Sequence, residues 1–232
     1  MKLNLTLQQF KKKHINKKNQ VIFHKTSCSN KVIENLINNF LTKKNSFIFE
    51  SVEKRRIRGR YTIIGGDPDK IWELNKNNIC LIKNNKSHKI KGNSYNYLKK
   101  IIKDFNFPLP KEIPSLCSIL VGYFSYDIIR YIEKIPDRCV DDLKIPDVRL
   151  LRPRTVIIYD NQKKNIFFIK NCFSDEKINN YSNYFLKQTQ NIQYLKDCAL
   201  NSKSSKNIKK NYNKKIIVKS NISKKRFKEI VL

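Results

Sequence analysis

The sequence predicts an α+β fold, in which a mainly antiparallel β-sheet carries helices packed on its outer surface. Two observations predict it. Strand-like apolar runs occur in pairs joined by short polar connectors, which is typical of hairpins. The segments between these pairs repeat their apolar residues at helical spacing. At 232 residues the chain is also long enough to bury a substantial core.

The regular elements follow from this patterning. Helical spacing predicts helices over residues 5–15, 32–41, 95–105 and 175–189. A strand is predicted at residues 20–23, and hairpins pair residues 71–74 with 79–82 and 156–159 with 166–169. Trp72, the only tryptophan, is predicted to pack in the core or at an edge and not to be a functional group. Residues 65–69, Gly-Gly-Asp-Pro-Asp, predict a turn.

The most informative strand pair lies within residues 47–66. An apolar run at residues 47–49 meets Glu50 and Ser51, and a basic connector then leads into a second strand at residues 61–64. A period of two places residues 47, 49 and 51 on one face and residues 48 and 50 on the other. A carboxylate at this position is solvated, paired, or available to a cationic ligand. A solvated strand end followed by a basic loop is the simplest interpretation.

The formal net charge is +30, from 49 Lys and Arg against 19 Asp and Glu. Such a charge favours a polyanionic partner, so a basic nucleic-acid-binding module is one possible function. The basic residues are mostly lysines spread among asparagines and isoleucines, however, as an AT-rich genome produces. RNA-binding modules instead interleave their charge with stacking aromatic residues. We therefore predict no specific nucleic-acid partner.

Motifs for metal, redox or nucleotide chemistry are missing from the sequence. Its six cysteines form no C-x-x-C pair, its three histidines have no metal or triad spacing, and no P-loop or G-x-G-x-x-G occurs. No apolar run approaches the ~18 residues of a membrane span, and no signal peptide opens the chain. The sequence predicts a cytoplasmic protein without catalytic, cofactor-binding or metal-binding residues.

Residues 47–69, FIFESVE…RGRYTIIGGDPD, resemble the N-terminal signature of anthranilate synthase component I, which usually reads LLESVE…GRYSxIGxxPD. The resemblance implies that Glu50 and Ser51 belong to an allosteric pocket for tryptophan. The chemistry agrees, because a carboxylate and a hydroxyl both accept hydrogen bonds from the ammonium group of an amino acid.

Three later segments resemble the same family in the same order. Residues 118–136 resemble GxxGYxxYDxxRxxExLP without its first glycine, residues 146–160 resemble PDxxLLRPxxVxxFD, and residues 220–231 resemble SNxxxxxFxxxV. Residues 119–123 are predicted to form a buried strand that turns at Gly122, followed by a short helix at 127–133. Asp127, Arg130 and Glu133 would form an ion-pair ladder on that helix, with an acid–base carboxylate pair as the alternative.

The resemblance implies a tryptophan-sensing domain at residues 1–190 and the start of a chorismate-binding catalytic domain at 220–232. The Lys/Asn/Ser-rich composition between them predicts a linker at 191–219, because such a segment cannot bury enough apolar surface to order itself. It also implies a sandwich-like core that completes itself against the catalytic domain. Members of this family convert chorismate and ammonia to anthranilate and pyruvate with Mg²⁺. Their ammonia comes from a glutamine amidotransferase, component II, with which they form a heterotetramer.

The family's chorismate-binding, magnesium-binding and catalytic residues follow the last segment matched here, so this chain alone is expected to be inactive. The p-aminobenzoate branch, aminodeoxychorismate synthase component I, shares the architecture and is the nearest alternative.

Overall fold

A computed structural model of the chain describes residues 1–29, 31–40, 43–50, 59–76, 78–105, 107–136, 140–200 and 219–231. The chain divides into two compact units, residues 1–202 and 203–232. The described part of the second unit contains one helix, α5 (Lys224–Val231). None of the described helices is both long enough and apolar enough to span a membrane.

The first unit combines strands and helices as the sequence predicts. Its elements follow in the order α1 (Leu7–Ile15), β1 (Gln20–Ser27), α2 (Lys31–Phe40), β2 (Phe47–Phe49), β3 (Tyr61–Asn75), β4 (Asn78–Lys83), β5 (Lys86–Ile90), α3 (Ser94–Asp104), β6 (Val121–Phe124), β7 (Val148–Asp160), β8 (Asn165–Cys172) and α4 (Tyr181–Leu200). All strand pairs are antiparallel, in the order β1-β8-β7-β3-β4-β5, with β2 on β3 and β6 on β7. The predicted α+β class is confirmed.

Two long strands, β3 and β7, pair with each other at the centre of the sheet. Along its other edge β3 pairs first with β2 and then with β4, and β7 pairs first with β6 and then with β8. Pro68 and Pro153 oppose each other between these neighbours, and the register shifts between Pro68 and Lys70. The predicted turn at 65–69 is therefore wrong. Prolines lack the N–H of the ladder, and the strand accommodates them as a bulge where its neighbours change.

Both faces of the β7–β8 hairpin are covered. Ile157 and Phe168 belong to a cluster that helices α1, α2 and α4 cover, whereas Ile158 and Phe167 belong to a cluster that residues 107–119 cover. A strand buried on both faces requires a continuous apolar run instead of an alternating one. Trp72 is buried with α3 in a third cluster, as predicted.

The segment around β6 differs from its prediction. Val121 is buried, but the other three residues of the strand are exposed. A Cβ atom on Gly122 would lie 1.7 Å from the carbonyl oxygen of Arg149. The glycine therefore permits the close approach of β6 to β7 and does not turn the chain. The predicted helix at 127–133 is a 3₁₀ helix at Tyr126–Tyr131.

Helix α4 begins and ends later than predicted. It continues to Leu200, so residues 191–200, predicted to begin the linker, are helical. Ile192, Leu195 and Ala199 repeat at spacings of three and four and are buried against the sheet. This packing holds the helix beyond the predicted boundary. Residues 201–218, the bulk of the predicted linker, lie outside the described residues.

Candidate functional site

Glu50, one of the two predicted site residues, directly follows β2 and is exposed. Pairing of β2 with β3 places Ile48 opposite Ile64. The rings of Phe47 and Phe49 lie 5.4 Å apart, as expected for residues on one face, and Ile48 packs against the opposite cluster from Phe47. The predicted alternation is confirmed for these residues. Ser51 lies outside the described residues, so its pairing with Glu50 stays a prediction.

Glu50 lies at an open cavity of about 790 Å³. The lining combines apolar side chains with a carboxylate, a guanidinium and a phenol: Ile48, Phe49, Glu50, Gly59, Arg60, Tyr61, Ile63 and Leu116. Groups of opposite charge beside an apolar surface suit a ligand that carries an ammonium or a carboxylate on an apolar body.

An ion pair between the partly exposed Arg60 and the buried Asp160 holds the basic wall of this cavity. Arg60 Nη2 lies 2.7 Å from Asp160 Oδ2, and the guanidinium stacks 4.8 Å from the ring centroid of Tyr61. Burial of Asp160 opposes its ionisation, but hydrogen bonds from Arg60, Lys163 N and Gln162 N outweigh it, so the pKa of this carboxyl lies below its ordinary value. Arg60 is therefore fixed in position by the turn between β7 and β8.

A second ion cluster joins two of the motifs that carry the resemblance. Arg152, from the Leu-Leu-Arg-Pro segment, donates through Nε to Asp69 Oδ1 at 2.8 Å and through Nη2 to Asp175 Oδ1 at 2.9 Å. Its guanidinium lies 3.8 Å from the ring centroid of Phe173, and Lys70 also pairs with Asp175. Burial raises the pKa of Asp175, but its bonds to Arg152 and Lys70 reverse this and lower the value to about 2. Sequence patterns do not predict this cluster, because Asp69 and Arg152 belong to separate motifs whose distance in space is not encoded in either motif.

Part of the predicted ladder on residues 127–133 is present. Arg130 Nε donates to Asp127 Oδ1 at 2.7 Å. Its Nη1 donates to the carbonyl oxygens of Ile135 and Pro136, at 3.0 and 2.8 Å. Arg130 thus ties the 3₁₀ helix to the chain that follows it, in agreement with the predicted structural role.

No group of three or more His, Cys, Asp or Glu side chains within the described ranges has the arrangement to hold a metal ion. The magnesium ion that the resemblance implies for complete family members therefore has no fitting ligands among these residues.

Comparison with known proteins finds one family over most of the chain. Residues 44–232 match the family model described as chorismate binding enzyme. Anthranilate synthase component 1 of Acetivibrio thermocellus is 31% identical over 192 residues, covering 80% of this chain and 38% of the relative. The Cereibacter sphaeroides protein of the same name is 30% identical over 129 residues, covering 53% of this chain and 26% of that relative. The chloroplastic anthranilate synthase alpha subunit 2 of Arabidopsis thaliana is 32% identical over 136 residues, covering 53% and 22%.

A solved structure is also similar. The crystal structure of anthranilate synthase component I from Streptococcus pneumoniae TIGR4 matches with a TM-score of 0.46 and 19% identity, over 62% of this chain and 31% of that chain. The chain thus spans well under half of the length of each of these relatives.

Proposed function

Because the chain belongs to the chorismate-binding enzyme family, we propose that it is the N-terminal, tryptophan-sensing part of anthranilate synthase component I. The observation that carries the proposal is the identity of 31% to anthranilate synthase component 1 over 80% of this chain. The relatives' names favour the anthranilate branch over the p-aminobenzoate branch.

In this proposal the cavity beside Glu50 binds tryptophan. Glu50 accepts a charge-assisted hydrogen bond from the α-ammonium group, and Ser51 accepts a second. The indole ring packs against the apolar lining, to which Ile48 and Phe49 contribute. The carboxylate lies toward Arg60, whose side chain is about one third exposed although its guanidinium pairs with Asp160. Each part of the ligand therefore has a complementary group beside the cavity.

Conversion of chorismate and ammonia to anthranilate and pyruvate, with magnesium, is assigned to the part of the relatives' length that this chain does not span. A glutamine amidotransferase supplies the ammonia. Several apolar side chains within residues 123–145 are exposed, among them Tyr126, Val140 and Leu143. Their exposure supports the proposal that the catalytic domain covers this surface.

Purified chain incubated with chorismate, ammonium and magnesium is accordingly expected to form no fluorescent anthranilate above background. Turnover by the chain alone would contradict this assignment.

The regulatory role of Glu50 is tested in a chain completed with a family catalytic domain. Losing a charge-assisted hydrogen bond costs about 1.5–3 kcal/mol. Glu50→Ala should therefore raise the tryptophan concentration for half-inhibition about tenfold to a hundredfold, and Ser51→Ala should raise it less. The uninhibited rate of anthranilate formation should stay unchanged, because the two residues act on the effector and not on chorismate.

Glu112→Ala provides the matched control, since Glu112 is also an exposed carboxylate but lies outside the cavity lining. It should alter neither the rate nor the inhibition. A Glu50→Ala variant with a reduced uninhibited rate and unchanged inhibition would show that the residue is not regulatory.

A further inference from the structure

A buried lysine interrupts the apolar face of β8. Ile166, Phe168 and Lys170 alternate onto the face that the helices cover. The Lys170 side chain is only 3% exposed, whereas its carboxylate partner Asp67 is 58% exposed. Lys170 Nζ donates to Asp67 Oδ2 at 2.9 Å and to Thr155 Oγ1 at 2.8 Å. Burying an ammonium group is costly unless its donors are satisfied, and an ammonium carries three of them.

Lys170 and Asp67 line a cavity of about 310 Å³, between the sheet, α4 and the connection from α2 to β2. Two further lysines, Lys43 and Lys44, also line it, and Asp67 is the one carboxylate among the described lining residues. Three ammonium groups therefore face one carboxylate, which leaves two positive charges in excess. Neither Lys43 nor Lys44 has an ion pair with a carboxylate of the described residues.

The cationic wall is held in place by its neighbours. Lys43 Nζ lies 5.3 Å from the ring centroid of Phe40 and 5.6 Å from that of Tyr194, so two aromatic rings orient it. A Cβ atom on Gly66 would lie 3.2 Å from the Phe40 ring and 3.3 Å from Ser46 Cα. This glycine therefore lets the connection after α2 approach the sheet closely beside Asp67.

We propose that this cavity binds a small oxyanion, a phosphate or carboxylate group on a small molecule. Such a group accepts charge-assisted hydrogen bonds from Lys170, Lys43 and Lys44 and balances their excess charge. The volume suits a small molecule. The site is separate from the proposed tryptophan pocket, whose lining includes Ile63 and Leu116 from the opposite face of the sheet. The inference therefore does not depend on the proposed function.

The test is a titration of the full chain with inorganic phosphate and, separately, with benzoate, at constant ionic strength, followed by amide chemical shifts in NMR spectra. We expect saturable shifts at residues around Lys170 and Lys43 with at least one probe. Saturation by phosphate alone identifies a phosphate site, and saturation by benzoate alone identifies a site for an aromatic carboxylate. Both outcomes support the oxyanion site.

Variants separate this site from general screening of a protein with a net charge of +30. Lys43→Gln should weaken binding about tenfold. Lys99→Gln is the matched control, because Lys99 Nζ also lies over a tyrosine ring, 4.1 Å from the centroid of Tyr95, and it should leave binding unchanged. Asp67→Asn should strengthen binding severalfold by removing the competing carboxylate. Asparagine tolerates the left-handed backbone of Asp67, with φ of 53°.

Three results would overturn the proposal: linear shifts with both probes, equal weakening by Lys43→Gln and Lys99→Gln, or no gain in affinity for Asp67→Asn. The last would show that Lys170 and Asp67 form a closed structural ion pair.

Discussion

The β7–β8 hairpin and residues 121–147 both contain many large apolar side chains. The hairpin buries these side chains, whereas several of those described in the other region are exposed to solvent. In the hairpin, Ile158 and Phe168 are completely buried, with covering layers on both faces of the sheet. In the other region, Tyr126, Val140 and Leu143 are 90%, 88% and 74% exposed. The two regions meet where β6 pairs with the first residues of β7.

The difference shows that the apolar composition of a segment does not determine which part of the protein, or which partner, buries its side chains. Helices α1, α2 and α4 cover one face of the hairpin, and residues 107–119 cover the other. Among the described residues of 121–147, only the four of β6 pair with β7. An exposed run of this kind is typical of a surface that another protein surface covers. We therefore expect equivalent substitutions in the two regions to change the free energy of unfolding by very different amounts.

Truncating a buried aromatic residue should produce the largest loss in the free energy of unfolding. Phe168→Ala removes a ring with no exposure from the helix-covered cluster. Loss of its transfer free energy and the remaining cavity should lower the free energy of unfolding by about 3–5 kcal/mol. Urea unfolding followed by circular dichroism measures this. A loss below about 1 kcal/mol would mean that this face is not the stable core.

A substitution in β6, where the two regions meet, should lower the free energy of unfolding by an intermediate amount and should disturb only the neighbouring residues. Gly122→Ala places a methyl group against the Arg149 carbonyl, so β6 must shift away from β7, at a cost of about 1–3 kcal/mol. Hydrogen exchange should become faster at residues 121–124 and stay slow at residues 165–172. Ser118→Ala, a small substitution just before the strand, is the control and should leave both rates unchanged. Faster exchange in β8 would show that the two regions unfold together.

The smallest effect is expected in the exposed region. Tyr126→Ala is matched to Phe168→Ala in side-chain size but removes a 90% exposed ring. It should change the free energy of unfolding by no more than about 0.5 kcal/mol. Adding Val140→Ser and Leu143→Ser should lower the binding of a hydrophobic dye while stability stays unchanged. A loss of stability close to that of Phe168→Ala would show that the side chains of residues 121–147 contribute to the stability of the fold as much as those of the hairpin do.

Much of the fold was predictable because its determinants are local. Helical spacing predicted α1, α2 and α3, and paired apolar runs predicted the β3–β4 and β7–β8 hairpins. Period two predicted the opposite faces of Phe47 and Ile48. The family followed from several short motifs that occur in the family's order along the sequence.

Only the tertiary structure decided the features that depend on distant neighbours. Gly65–Asp69 has the composition of a turn, but pairing with β7 extends the strand through it. Helix α4 outlasts its predicted end because the sheet buries Ile192 and Leu195. The Arg152 cluster and the Lys170 cavity each contain ion pairs between side chains that lie 83 to 105 positions apart in the sequence. Pattern reading detects periodicities within one element, whereas burial and charge pairing depend on which elements the sheet brings together.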